Sequence, residues 1–316
     1  MVALLALLGI GLLAGAIAGG SGDDIIEELG SEDLGGDDPS AEAAPRQFGD
    51  DRQVIVDTEL RVSIEDFLEG SGATEEEQAD LLGQATFLTG PFNLDTGGGA
   101  DFVVGSDGDD TILTGDQDDV VEGRTGNDVV QLGDGNDGYG RGAELSAGPE
   151  STPPLQLGDG AEDLQGGDDW VRGGRGDDVI IDGYGSNRLA GNEDDDRIDS
   201  VDLDEGTPDH VLGGFGNDIL FVDEGDLVEV GRGLDEVFVD VGGGIAEGYD
   251  PVTIPDFTPR VDKVDVLGFD SDDVSVADLE DGTGAVISVG GVPVVIVIGG
   301  QGLNAVELGV SEPAVV

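Results

Sequence analysis

The sequence contains no cysteine, a single histidine (His210) and only 12 lysine and arginine residues among 316. The absence of cysteine excludes disulfide bonds and thiolate metal sites. One histidine cannot form the two-histidine zinc motif of metalloproteases, and no G-x-S-x-G serine nucleophile motif is present. With 72 acidic residues against so few basic ones, the chain would be repelled by nucleic acid, which excludes that class of partner.

Glycine and acidic residues are abundant instead. There are 58 glycines, and the formal net charge is −60. Self-repulsion on this scale opposes a compact state, so the chain is either a disordered acidic protein or one that folds when a metal is bound. Val, Ile and Leu recur at regular intervals through the acidic region, which favours the second interpretation. Carboxylate and carbonyl oxygens are ligands that Ca²⁺ prefers.

The first 50 residues divide into an apolar segment and an acidic one. Residues 1–20 are apolar or glycine after Met1 and predict a hydrophobic N-terminal helix. Three interpretations stay open for it: a retained membrane-inserting segment, an atypical export signal that lacks a basic start, and a buried helix. Residues 21–50 predict an acidic flexible linker, in which Arg46 is the first basic residue of the chain.

Residues 51–95 predict a small cap at the N-terminal end of the repeats that follow. Thr74 followed by Glu77 is a capping-box pattern, which predicts a short helix that ends at Gly83. Repeat arrays need such caps because their terminal repeats would otherwise leave an apolar surface open to water.

Residues 96–244 contain a repeat of nine residues. From Thr96 the chain reads TGGGADFVV, GSDGDDTIL, TGDQDDVVE, GRTGNDVVQ and LGDGNDGYG, which follow the template G-G-x-G-x-D-x-U-x, where U is a large apolar residue. The sixth position holds Asp101, Asp110, Asp119, Asp128 and Asp137, and the eighth holds Val103, Ile112, Val121, Val130 and Tyr139.

The pattern returns after an irregular stretch at 141–156, but with departures. GGRGDDVII, GNEDDDRID and GGFGNDILF match well, whereas VGRGLDEVF matches loosely. Counting in nines places Asn187 and Leu227 where an aspartate is expected, and places Asp235 one residue out of register with Asp218. Four extra residues separate Asp196 from Asp209. We therefore expect some turns without metal, and a smaller contribution of Asp235 than of Asp119.

The template suits a metal-binding turn followed by a short strand. Glycines permit the sharp turn, the aspartate supplies a hard anionic oxygen, and the x-U-x triplet forms a strand with U facing inward. If two nonapeptides close one coil, residues eighteen apart stack, so that Asp101, Asp119 and Asp137 share one edge and Asp110 and Asp128 the other. An ion at either edge would then join successive coils.

These nonapeptides resemble the RTX family, the hemolysin-type calcium-binding repeats of type I-secreted bacterial proteins. The resemblance covers about residues 96–240 and implies an all-β fold, a parallel β-roll, with six-coordinate Ca²⁺ held by aspartate side chains and turn carbonyls. About four to eight ions are expected, since some turns depart from the template. The candidate metal ligands are Asp101, Gly105, Asp107, Gly108, Asp110, Asp116, Asp119, Gly126, Asp128, Gly133, Gly135, Asp137, Asp169, Gly173, Gly174, Gly176, Asp178, Asp196, Asp209, Gly213, Gly214, Gly216, Asp218 and Asp235.

Residues 245–316 predict a C-terminal β cap. The stretch 252–269 resembles the segment that follows RTX arrays, through Ile254, Asp256, Phe257, Asp262 and Asp265. Residues 285–300 predict a β-hairpin that turns at Gly290-Gly291 and is buried against the roll. By the same resemblance, this region also carries an uncleaved type I secretion signal.

The function that the sequence favours is calcium binding by a secreted or cell-surface protein that is not an enzyme and whose repeats fold on Ca²⁺. Two alternatives stay open: a polysaccharide-active extracellular enzyme with its site on the roll face, and a surface adhesin anchored in a membrane through residues 2–20. A protein or glycan partner is not identified by the sequence.

Overall fold

The computed structural model describes residues 45–48, 54–57, 86–88, 90–140, 166–202, 207–241, 245, 248–269, 273–300 and 302. All of them belong to the second of two compact units, residues 39–316. The predicted helices at 2–20 and after Thr74 lie outside the described residues. In the part of the chain that is described, no helix is long and apolar enough to cross a membrane.

Two sheets make up the fold. The twelve-stranded sheet contains, in spatial order, β1 (Arg46–Gln47), β4 (Asn93–Asp95), β6 (Thr111–Asp116), β8 (Val129–Asp134), β10 (Trp170–Arg175), β12 (Arg188–Glu193), β14 (His210–Phe215), β16 (Leu227–Arg232), β18 (Val252–Ile254), β22 (Val292–Ile298), β21 (Gly284–Val289) and β20 (Val274–Asp278). The ten-stranded sheet contains β19 (Lys263–Leu267), β17 (Glu236–Asp240), β15 (Ile219–Val222), β13 (Arg197–Asp199), β11 (Val179–Ile181), β9 (Gly138–Tyr139), β7 (Val120–Glu122), β5 (Phe102–Val104), β2 (Val54–Asp57) and β3 (Thr86–Leu88).

The chain alternates between the two sheets from β4 to β19, so each coil contributes one strand to each sheet. Val103 pairs with Val121 in one sheet and Ile112 with Val130 in the other, in parallel and eighteen residues apart. This register confirms the parallel β-roll with two nonapeptides per coil.

The core lies between the two sheets and includes the eighth residue of each repeat, together with Val264, which pairs with Val237. These side chains are 0–1 % exposed and belong to one apolar cluster: Val103, Ile112, Val121, Val130, Tyr139, Val171, Ile180, Leu189, Ile198, Val211, Leu220, Val228, Val237 and Val264. Burying one such side chain contributes about 1.5–3 kcal/mol relative to leaving it in water. A stack of coils therefore has the apolar core that a single coil lacks.

Both ends of the repeat array are extended by further strands. Before the repeats, β2 pairs with β5 and β4 with β6, both in parallel. Beyond residue 244, β18 pairs with β16 and β19 with β17, again in parallel, so the roll continues past the last repeat. The division of the chain at residues 20, 50, 95 and 244 stays a prediction.

The C-terminal hairpin forms as expected. β21 and β22 are antiparallel and turn at Gly290 and Gly291, whose φ angles of 59° and 88° suit a two-residue hairpin turn. β22 also pairs in parallel with β18. The hairpin thereby joins the end of the twelve-stranded sheet, where Ile287 and Val295 are buried in the same core.

Close backbone stacking at the turns requires glycine at specific places. Gly174 has a φ of 140°, and a Cβ at this residue would collide with the carbonyl oxygen of Gly133 in the preceding coil. At Gly166 a Cβ would have no atom within 4 Å.

We predict that Gly174→Ala lowers the free energy of unfolding by about 2–4 kcal/mol, since it combines a left-handed backbone with a backbone collision. Gly166→Ala is the matched control and should change it by less than about 1 kcal/mol. Urea unfolding in saturating calcium measures both. A similar loss in the two variants would contradict the stacking described.

Candidate metal centres

The sixth-position residues form two columns, one along each edge of the roll. The first Asp column precedes strands of the ten-stranded sheet and consists of Asp101, Asp119, Asp137, Asp178, Asp196, Asp218, Asp235 and Asp262. The second Asp column precedes strands of the twelve-stranded sheet and consists of Asp110, Asp128, Asp169, Asn187, Asp209 and Asp226. All fourteen side chains are 0–3 % exposed.

Each column is joined by the same backbone-to-carboxylate hydrogen bond. The N–H of Asp101 donates to Oδ1 of Asp119 at 2.7 Å, and the N–H of Asp119 donates to Oδ1 of Asp137 at 2.8 Å. The bond repeats through the first column as far as Asp262, where the distance from the N–H of Asp235 is 3.4 Å. It repeats in the second column from Asp110 to Asp226, where the acceptor for the N–H of Asp169 is the amide oxygen of Asn187.

The second carboxylate oxygen distinguishes a structural carboxylate from a candidate ligand. Within the two columns, Oδ2 is buried and has no hydrogen-bond partner in Asp119, Asp128, Asp137, Asp178, Asp196, Asp209, Asp218 and Asp235, and the same is true of Oδ2 of Asp182, which lies outside the columns. A buried anionic oxygen without a partner is costly. Such an oxygen fits a bound cation, and a hard divalent ion is the cation that carboxylates favour.

Glycines lie directly against these oxygens. A Cβ at Gly213 would come within 2.5 Å of Oδ2 of Asp218, and a Cβ at Gly173 would overlap Oδ2 of Asp178. The same relation joins Gly123 to Asp128, at 2.5 Å, and Gly191 to Asp196. The space beside each carboxylate therefore exists because the repeat has glycine there. Gly123 and Gly191 were not among the predicted residues, although both begin a nonapeptide.

The remaining predicted glycines serve the turns in two ways. Gly126, Gly133, Gly174, Gly176, Gly214 and Gly216 have positive φ. Gly105 and Gly135 lack it but leave no room for a side chain, because a Cβ would collide with Asp110 or Gln117, whereas a Cβ at Gly108 would lie in tight contact with Pro91, at 3.1 Å.

Two predicted ligands differ from the others because they are exposed. Asp116 ends β6 at the surface. Asp107, whose side chain is 41 % exposed, forms an ion pair of 2.9 Å with the buried Arg124. Neither resembles the buried sixth-position carboxylates.

The register predicted for the last repeats was wrong. Asp226, not Leu227, occupies the sixth position, because the N–H of Asp209 donates to Oδ1 of Asp226 at 2.8 Å. In the same way Asp235 accepts from Asp218 at 3.0 Å and is in register with it. Both coils have seventeen residues instead of eighteen. The nine-residue spacing of Asp226 and Asp235 was the signal in the sequence, and the expected difference between Asp119 and Asp235 loses its basis.

Burial gives these carboxylates high proton affinity when no cation is bound. It raises the pKa of Asp119 to about 7 and that of Asp178 to about 8. Burial, followed by the charge of the neighbouring coil, raises the pKa of Asp196 to about 10 and that of Asp209 to about 9. Each column is thus a row of anions that burial and mutual repulsion disfavour.

No three carboxylate or imidazole side chains of the described residues form a metal-binding group by themselves. Carboxylates of adjacent coils would need backbone carbonyls of the turns to complete the six or more oxygens that Ca²⁺ takes. The single histidine lies elsewhere, on β14, where Nε2 of His210 is 3.0 Å from Oε1 of Glu229.

Comparison with protein families agrees with this geometry. The RTX calcium-binding nonapeptide repeat matches the chain in four copies, at residues 95–130, 113–139, 158–198 and 206–226. Comparison with curated proteins gives no match. The matched segments contain most of the two Asp columns, and the strands between them form the parallel roll. The chain therefore contains RTX calcium-binding nonapeptide repeats, over the residues matched.

Proposed function

We propose that this protein is secreted or displayed at the cell surface and that Ca²⁺ drives the folding of its repeat block. The observation that carries the proposal is the set of buried Oδ2 atoms without partners, repeated at one place in successive coils. Calcium bound there would neutralise the carboxylates and join adjacent coils. Its role would be structural, and the proposal assigns no catalytic step to the roll.

Mass action supports this proposed location. An ion that binds only the folded state stabilises it by about 2.7 kcal/mol per site when free calcium is a hundred times the dissociation constant, and by almost nothing when calcium is far below that constant. With several sites in one stack, a modest affinity is enough to switch the fold. Such a chain would stay unfolded where calcium is scarce and fold where it is plentiful, which suits type I secretion.

We predict that the full chain shows little β signal by far-UV circular dichroism in EDTA at pH 7.5 and a strong one in millimolar Ca²⁺. Mg²⁺ should substitute poorly, because it requires a tight octahedron and loses its waters reluctantly. Equal concentrations of Mg²⁺ and Na⁺ salts at matched ionic strength are the controls. A full β signal in EDTA would overturn the proposal.

The raised pKa values predict how protons act on the calcium-free protein. The pKa of Asp119 is about 7 and that of Asp209 about 9 in the fold, against about 3.9 in an unfolded chain. Between these values the folded state binds more protons, so its stability falls as pH rises. The penalty is absent below pH about 4 and complete above about 9.

Without calcium, the β signal should therefore increase when the pH is lowered from 7.5 toward 4.5. With saturating calcium it should be nearly constant between pH 6 and about 8, because bound ions replace the protons. Circular dichroism across the pH range, with and without EDTA, measures both curves. A calcium-free β signal that rises with pH would show that the buried carboxylates do not control folding.

A further inference from the structure

The two Asp columns differ in what their second carboxylate oxygen contacts. In the first column, Oδ2 lacks a hydrogen-bond partner at six successive described positions, namely Asp119, Asp137, Asp178, Asp196, Asp218 and Asp235. In the second column, only Asp128 and Asp209 have such an oxygen. The other members of the second column have their side chains bonded by the protein itself.

At both ends of the second column, nearby donors bind the second oxygen. Oδ2 of Asp110 accepts from the N–H of Ser106 at 2.7 Å. Oδ2 of Asp226 accepts from the N–H of Asp223 at 3.0 Å and from the hydroxyl of Ser200 at 3.3 Å. These carboxylates have partners without an ion.

In the middle of the second column, the side chain of a core residue extends to the edge of the roll where the column lies. Tyr139 holds the eighth position, which is Val, Ile or Leu in the other coils, and its side chain is fully buried. Its hydroxyl donates to Oδ2 of Asp169 at 2.7 Å, while Oδ1 of Asp169 accepts the N–H of Asp128 at 2.8 Å. Both oxygens of Asp169 are thereby engaged.

The next coil carries two further departures from the template. Asp182 follows β11 where Gly105 follows β5 and Gly123 follows β7, so a carboxylate stands in the space that glycine leaves beside the other turns. Asn187 replaces an anion by a neutral amide. Its Oδ1 accepts the N–H of Asp169 at 2.9 Å, and its Nδ2 donates to the carbonyl oxygen of Tyr184 at 3.2 Å.

Tyr139, Asp169, Asp182 and Asn187 form one buried group, the Tyr139 cluster. Burial, followed by the charge of Asp169, raises the pKa of Asp182 well above its usual range. Both oxygens of Asp169 are bonded within the protein, Asn187 carries no charge, and Asp182 fills space that glycine leaves elsewhere, although Oδ2 of Asp182 is itself buried without a hydrogen-bond partner. The cluster joins residues from both sides of the irregular stretch of sequence at 141–156.

We propose that the roll binds calcium asymmetrically, in an uninterrupted row along the first Asp column, while the Tyr139 cluster replaces the ions in the middle of the second. This inference rests on the proposed function. The two edges of the same coils are held differently: the turn of Asp178 by ions, and the turns of Asp169 and Asn187 by hydrogen bonds of the protein.

Asp178 and Asp169 provide a matched comparison. Both are buried, and each accepts a backbone N–H from the preceding coil at 2.8 Å. An asparagine at either position keeps a side-chain oxygen, Oδ1, that can accept this backbone N–H. In Asp178→Asn the anionic oxygen that would bind the ion is lost. In Asp169→Asn the amide can donate to the hydroxyl of Tyr139, which keeps the contact with its direction reversed.

Calcium stoichiometry of the full-length variants, measured by titration calorimetry and by equilibrium dialysis, tests the proposal. Asp178→Asn should lose about one or two ions relative to the parent chain, because a carboxylate between two coils serves neighbouring ions. Asp169→Asn should bind as many ions as the parent. An equal loss in both variants, or no loss in Asp178→Asn, would overturn the asymmetry.

Tyr139→Phe tests the cluster independently if Asp169→Asn does not fold. It should lower the thermal midpoint in calcium by several degrees without lowering the number of ions, and a loss of ions would overturn the proposal. Failure of the proposed function looks different: the parent chain itself would bind no calcium. Calcium binding by the parent with equal losses in the two aspartate variants would reject the asymmetry alone.

Discussion

The hydrogen bond from the backbone of one sixth-position residue to the carboxylate of the next coil sets the spacing on which the rest of the roll depends. It connects Asp101 to Asp119 at 2.7 Å and recurs along both Asp columns, with the amide oxygen of Asn187 as acceptor at one position. The bond uses one oxygen of each carboxylate and leaves the other buried. Stacking the coils and creating the anionic sites are thus the same event, because the contact that aligns two coils also takes both carboxylates out of water.

The repeat made much of this architecture predictable. A nine-residue period with an apolar eighth residue specifies strand length, the inward face and the eighteen-residue stacking, and glycine pairs specify the hairpin turn at Gly290. Contacts between coils were not predictable from a template of single repeats. Tyr139 looked like an ordinary core residue, and its hydroxyl acquires a partner only when Asp169, thirty residues later, is stacked beside it. Asp226 was missed because a shortened coil shifts the count while the hydrogen bonds keep the register.

The large negative charge has two distinct parts in this fold. Buried carboxylates at the turns are in contact with the next coil, and burial, followed by repulsion between them, raises their pKa values. Other acids of the described residues, such as Asp116, lie at the surface, where solvent screens them. Only the first group is able to couple folding to a cation, since charge that stays hydrated in both states changes stability little. Not every arginine is at the surface to neutralise these acids. Arg197, for example, is fully buried, and its guanidinium stacks on the ring of Phe221 at 4.3 Å.

The first Asp column has a direction, because every N–H points toward the coil that follows. Its last acceptor is Asp262, beyond the nonapeptides, and Oδ2 of that residue accepts the N–H of Thr258 at 2.6 Å. Asp256 holds the N–H groups of Val230 and Gly231 nearby, at 3.0 and 2.9 Å. At the C-terminal end of the column, the carboxylates of Asp256 and Asp262 therefore already have hydrogen-bond donors from the protein. The coil of Asp235 stacks next to Asp262. The row of carboxylate oxygens without partners in this column therefore ends at Asp235, one coil before the protein's own donors engage Asp262.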